Sequence, residues 1–149
     1  MKALQIMLAA FAVTLTATGC ASGAGLTDDQ ELALYRANAG PAVPSFQYFG
    51  TLNGWTPLGD QAVAVWTRLN EAYLLEVDGP CPDLDFAQAI GLTHQSGTVY
   101  ARFDKMIPRV GGGRTQPLPC NIRQILPLDT KALKAAEQDI RQQREEASG

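Results

Sequence analysis

The sequence predicts a mainly β domain of the α+β class: a small curled antiparallel sheet, or a partly open barrel of five to six strands, with a short helix before it and a longer helix after it. Three observations carry this. Helix-start signals stand at Thr27 and again at Asp129–Thr130. Between them, apolar residues alternate with polar ones in short runs separated by Gly, Pro, Asn and Asp. Beyond Thr130 the apolar spacing returns to the helical period.

Thr27-Asp28-Asp29-Gln30 reads as a capping box, with two acids suited to the positive end of a helix, and a helix is expected to about Ala39, where Gly40-Pro41 stops it. Gln47 to Leu52 is a candidate strand, and Asn53-Gly54 a turn ahead of Trp55. Residues 61–68 put Val63 and Val65 on one face and Trp66 on the other. Leu69-Asn70 turns the chain, and Glu71 to Val77 returns with Tyr73, Leu75 and Val77 on one face, so the two runs should form an antiparallel hairpin. Asp78 to Phe86 is a Pro/Gly/Asp loop with one helical turn expected at 83–87. Ile90 to His94 is a short strand. In the next, Val99, Ala101 and Phe103 alternate with Tyr100, Arg102, Asp104 and Met106. Pro108 to Pro119 is a long loop, Cys120 to Leu126 the last strand. The final helix carries Leu133, Ala136 and Ile140 on one stripe, and its polar end from Gln142 is expected to fray.

The first nineteen residues differ from the rest. Lys2 supplies one positive charge, Ala3 to Thr18 carry none, and small residues follow at Ala17, Thr18 and Gly19. This is the pattern of a secretory signal, and its apolar run falls short of the ~20 residues of a spanning helix. Leu15-Thr16-Ala17-Thr18-Gly19-Cys20 resembles a lipobox, with Ala17 where Leu is usual. Cys20 is therefore expected to carry palmitate-type acyl chains, each buried CH₂ contributing about 0.8 kcal/mol to anchoring, the alternative being an ordinary signal peptide in which Cys20 is incidental. Ala21 stands where inner-membrane lipoproteins usually carry Asp, which favours the periplasmic face of the outer membrane. The expected organisation is a signal peptide over 1–19, a flexible tether over 20–26, one domain over 27–128, and a helix with a polar tail over 129–149.

Of 149 residues, 46% are apolar and 18% charged, which is globular composition, and a net charge of −3 with scattered basic residues argues against a nucleic-acid surface. Lipidation of Cys20 would leave Cys81 and Cys120 as a pair. Export to an oxidising compartment favours a disulfide between them, the alternative being two buried free thiols. No CxxC pair exists and His94 is the only histidine, so no metal or cofactor is implied.

Candidate chemistry is thin. His94, at a strand end with Ser96 nearby and Asp104 on the next strand, is the sole candidate acid/base, and a structural or surface histidine is the competing reading. Asp78, Asp83 and Asp85 gather around Cys81, a conceivable Ca²⁺ loop, but their spacing fits no EF-hand and Asp83 suits a turn cap. Gly111-Gly112-Gly113-Arg114 lacks the Lys-Ser/Thr ending of a phosphate loop and reads as a hairpin loop. Trp55 and Trp66 suit a core or a pocket wall. Tyr100, Arg102 and Asp104, with Trp66, form the candidate ligand face; a surface ion-pair stripe or a buried hydrogen-bonded Arg102–Asp104 pair is the competing reading.

Several segments carry a resemblance. Tyr35-Arg36-Ala37-Asn38-Ala39-Gly40-Pro41, Gly54-Trp55-Thr56-Pro57-Leu58-Gly59, Gly79-Pro80-Cys81-Pro82-Asp83-Leu84, Arg102-Phe103-Asp104 and Cys120-Asn121-Ile122-Arg123-Gln124-Ile125 occur in that order. Over roughly residues 30–129 the chain resembles a family of small proteobacterial lipoproteins classed only as a domain of unknown function, with the last helix outside the shared region. The resemblance implies an exported, disulfide-bearing domain and no catalytic residue. The leading expectation is a membrane-anchored envelope protein that binds a partner protein or serves a structural role. A periplasmic small-molecule binder and a hydrolase-type enzyme using His94 with a carboxylate are the alternatives.

Overall fold

Helix α1 (Asp28–Ala37) begins as its sequence dictates: Thr27 Oγ1 accepts from the Gln30 amide at 3.3 Å while Gln30 Oε1 accepts from the Thr27 amide at 3.0 Å. These contacts come from a computed structural model that describes residues 25–112 and 118–149. The expected signal segment, Cys20, most of the tether and Gly113-Arg114 lie outside the described residues. The helix stops two residues short of Ala39. Asn38 Nδ2 caps the Leu34 carbonyl at 2.9 Å, and the residues beyond are drawn into bridges with the last strand.

Among the described residues eight strands follow: β1 (Ser45–Gln47), β2 (Gly54–Pro57), β3 (Ala62–Arg68), β4 (Glu71–Val77), β5 (Ala89–Leu92), β6 (Thr98–Tyr100), β7 (Lys105–Arg109) and β8 (Cys120–Leu128). Six form one nearly closed antiparallel sheet in the order β2-β3-β4-β8-β7-β5, and β1 pairs with β6 as a separate ribbon. The expected fold class is therefore the observed one, with the 61–77 hairpin as its centre.

The hairpin is apolar on both faces because both are covered. Val63, Val65, Leu75 and Val77 face the inside of the curl with Phe46, Val99, Met106, Ile122 and Ile125. Ala62, Ala64, Ala72 and Leu74 face outward beneath Leu32 and Tyr35 of α1 and Leu133 of the C-terminal helix α2 (Thr130–Ser148). Burial of a large aliphatic side chain contributes roughly 1.5–3 kcal/mol. Small alanines on the outer face let the helices approach closely. Asp129 caps α2 through its Oδ1 and the Ala132 amide at 2.9 Å, and the helix runs to Ser148, through the polar stretch from Gln142. Among the described residues no helix is long and apolar enough to cross a membrane.

Four expectations are corrected. The run from Val99 to Met106 is two strands, not one: the chain turns at 101–103, with Arg102 at φ +70°. Gly54–Pro57, expected as a turn and its exit, is an edge strand paired to β3. The candidate strand at 47–52 lies earlier, as β1. Residues 83–87 form no helix; successive turns close instead from Leu84 to Cys81 and from Ala87 to Leu84.

Candidate functional site

Strand β8 changes partners along its length. On one side it pairs with β4 throughout residues 122–128. On the other, Cys120 and Asn121 pair with β7, whereas Ile125 and Pro127 receive the amides of Val43 and Gly40. At the handover Ile122 accepts from the Arg102 amide at 2.7 Å and donates to the Asp104 carbonyl at 3.1 Å. Two features sit there. A β-bulge leaves Arg123 without an opposite residue, since Glu76 faces Gln124 and Val77 faces Ile122. Beside it lies a groove of about 380 Å³ between residues 42–44, the turn 100–103 and Arg123-Gln124.

The turn is fixed from several directions. Asp104 is buried, and its carboxylate accepts from the Tyr100 amide at 2.8 Å and from Thr93 Oγ1 at 2.7 Å. The Asp104 amide donates to the Tyr100 carbonyl at 3.0 Å, and the Ala101 amide to the Pro44 carbonyl at 3.0 Å. These bonds explain why one strand became two. A short acid at position 104 offers the backbone of residue 100 a local partner in place of a ladder. The turn so held displays Arg102 and Phe103 outward, Phe103 being 75% exposed and Tyr100 38%. A non-glycine residue in the left-handed region costs about 1–2 kcal/mol, and such strain collects at functional positions.

Next to the groove is a buried carboxylate. Glu76 stands on the outer face of β4 with Ala72 and Leu74, and its side chain is 4% exposed. It accepts from Arg36 Nε of α1 at 2.7 Å, from Arg123 Nη2 at 2.8 Å, and from the side-chain Nε2 of Gln124. Burial pushes its pKa up, but the hydrogen bonds from Arg36, Arg123 and Gln124 outweigh that and hold it below its ordinary value. The bulge lets Arg123 and Gln124 both reach Glu76. Two arginines against one carboxylate leave a net positive charge of one. Arg102 adds another, without an ion pair among the described residues, and no acidic side chain lines the groove.

The expected ligand face is thus redistributed. Tyr100 and Arg102 line the groove, Asp104 is turned inward as the clamp of the turn, and Trp66 lies elsewhere, edge-on to Tyr35 with centroids 6.4 Å apart. Trp66 packs on the helix-covered face and Trp55 on the inner one; both are half-buried. His94 accepts from the Gly97 amide through Nδ1 at 3.2 Å and rests edge-on against Tyr48; the Asp104 carboxylate is directed to Thr93 and Tyr100 instead.

Asp78, Asp83 and Asp85 do not converge, and among the described residues no three carboxylate, thiol or imidazole groups are placed to hold a metal. Asp85 looks into a cavity of about 470 Å³ that it shares with Asp28, Asp29 and Asp60, where burial and then the charges of Asp28 and Asp60 raise its pKa. Cys81 and Cys120 are joined by a disulfide that ties the loop after β4 to the first residue of β8.

Sequence reasoning passed over Glu76, Arg36, Arg123 and the outward face of Phe103. A signal for the first existed: Glu76 falls at an even position of a strand whose other even positions, Ala72 and Leu74, are apolar. The Arg123-Gln124 doublet, two polar residues in a row inside an apolar strand, is the corresponding signal for the bulge.

No curated protein and no solved structure matches the chain. A family model does, over a longer stretch than the resemblance implied, since it reaches into α2 and back to the third residue. By that match over residues 3–144, the chain belongs to the family of unknown function DUF6491.

Proposed function

We propose that this chain is a lipoprotein of the bacterial cell envelope, exported by residues 1–19, anchored through Cys20 on the periplasmic face of the outer membrane, and acting as a binding module rather than an enzyme. One observation carries the binding reading: the strained turn at Arg102 displays a charged and an aromatic side chain at the rim of a groove. Arg, Tyr and Phe are residue types that dominate interface energetics, and a rigid display lowers the entropy cost of binding. The engaged Nδ1 of His94 supports binding over acid/base chemistry. The disulfide fits an oxidising compartment, which supports export.

Intact mass of the protein extracted from membranes tests the anchor. A chain beginning at Cys20 and carrying acyl chains is expected, and Cys20→Ser should release the protein into the soluble fraction. A mature chain without lipid overturns the anchoring half of the proposal and leaves the binding half standing.

A further inference from the structure

We propose that the groove takes an acidic segment of another polypeptide, a carboxylate side chain beside an apolar one, with Arg102 as the primary anchor, Arg123 as the second, and Tyr100 and Phe103 covering the apolar neighbour. This rests on the binding reading above and names its ligand. The protein carries net −3, yet among the described residues this groove is lined by two arginines and no acid. An arginine fork matches a carboxylate with two parallel hydrogen bonds, and a guanidinium with no intramolecular ion pair has its donors free for a ligand.

Shape argues for a polypeptide over a free metabolite. Small-molecule sites enclose most of their ligand, whereas this groove is open and one of its two aromatic side chains, Phe103, protrudes from the rim with 75% exposure. A protruding aromatic beside an arginine suits insertion between side chains of a partner. Glu76 has a part here too: it is a positioning residue. Holding Arg123 Nη2 at 2.8 Å fixes the direction of that guanidinium while more than half of the side chain stays exposed. The buried Asp104 does the same for the turn that carries Arg102.

The test is selection of a random peptide display library on the full-length protein in detergent, with the Arg102→Gln protein as counter-selection. Enriched peptides are expected to carry Asp or Glu next to an aromatic or aliphatic residue. Replacing that acid by its amide should weaken binding at least about tenfold, the worth of one good charged pair, and Arg102→Gln should weaken it comparably. Glu76→Gln should weaken it less, and Tyr100 and Phe103 should still respond to the peptide. Arg102→Gly, which removes the side chain and relieves the positive φ, should lose binding with an undiminished thermal midpoint, so misfolding cannot account for the loss.

Peptides that enrich without an acid overturn the carboxylate inference and leave a binding groove. If free N-acetyl-phenylalanine displaces the selected peptides at equal concentration, the occupant is a small acid and the polypeptide inference fails. No enrichment over the Arg102→Gln protein removes both the inference and the reading beneath it.

Discussion

Replacing Glu76 by Gln keeps the shape of the side chain and removes its charge. The carboxylate takes charge-assisted hydrogen bonds from Arg36 at 2.7 Å and Arg123 at 2.8 Å, and a third bond from Gln124. Two such bonds at about 1.5–3 kcal/mol each would give roughly 3–6 kcal/mol. That is too much, because the two arginine side chains are 46% and 52% exposed and water can take their donors over. About 2–3 kcal/mol remains for Glu76→Gln, whose NH₂ group would also face donors on the neighbouring Gln124. Glu76→Leu should cost less, about 1 kcal/mol, since a buried charge replaced by an apolar group leaves no unsatisfied atom and both arginines can turn to solvent.

The pH dependence follows from the depressed pKa. A carboxyl that sits below its ordinary 4.5 in the folded protein contributes stability that is fully present above that value and is lost as pH falls through the folded pKa. The gap between wild type and Glu76→Gln should therefore be constant near neutrality and close in acid. Urea titrations followed by tryptophan fluorescence at pH 7 and pH 3 measure both quantities, because Trp55 and Trp66 report on opposite faces of the sheet. A cost under about 0.5 kcal/mol at pH 7, the range of an ordinary surface change, or a gap that stays the same at pH 3, would refute the clamp.

Four further outcomes are expected. Breaking the Cys81–Cys120 bridge, which closes a 39-residue separation, should cost roughly 3–4 kcal/mol in urea unfolding, by the loop entropy it no longer removes. Arg102→Gly should leave the fold equally stable or up to about 1 kcal/mol more so in the same assay, since glycine adopts φ +70° without strain. Thr27→Ala should cost about 1 kcal/mol by loss of the capping box, visible as a lower thermal midpoint. Asp85→Asn should raise stability at pH 7 by no more than about 0.5 kcal/mol. Its raised pKa means that the folded state holds the proton more tightly, so stability is lost as pH rises above the ordinary carboxyl range, and the neutral amide avoids that loss.

Much of the framework was legible because local signals and tertiary packing agreed. The Thr27 box, the hairpin over 61–77 and the Asp129 cap each state their structure within a few residues. The reading failed where a side chain competes with the ladder. Alternation alone carried a strand from Val99 to Met106, and nothing in a two-residue period announces that the Asp104 carboxylate will take the Tyr100 amide. The groove was half legible for the same reason. Tyr100 and Arg102 stand out by their chemistry, whereas Arg123 enters through a bulge opposite Glu76 and Val77 of the neighbouring strand. Non-local pairing of that kind is settled by the fold, after the strands have met.

The binding face itself is tested most directly in living cells. A photo-crosslinking amino acid at position 103 is compared with one at position 86, where Phe86 is equally exposed on a different loop. Residue 103 should give a discrete crosslinked product that disappears when Arg102→Gln is added, and residue 86 should give none. A product at 86 as strong as at 103, or a product at 103 indifferent to Arg102, would contradict the assignment of this groove as the site where the protein works.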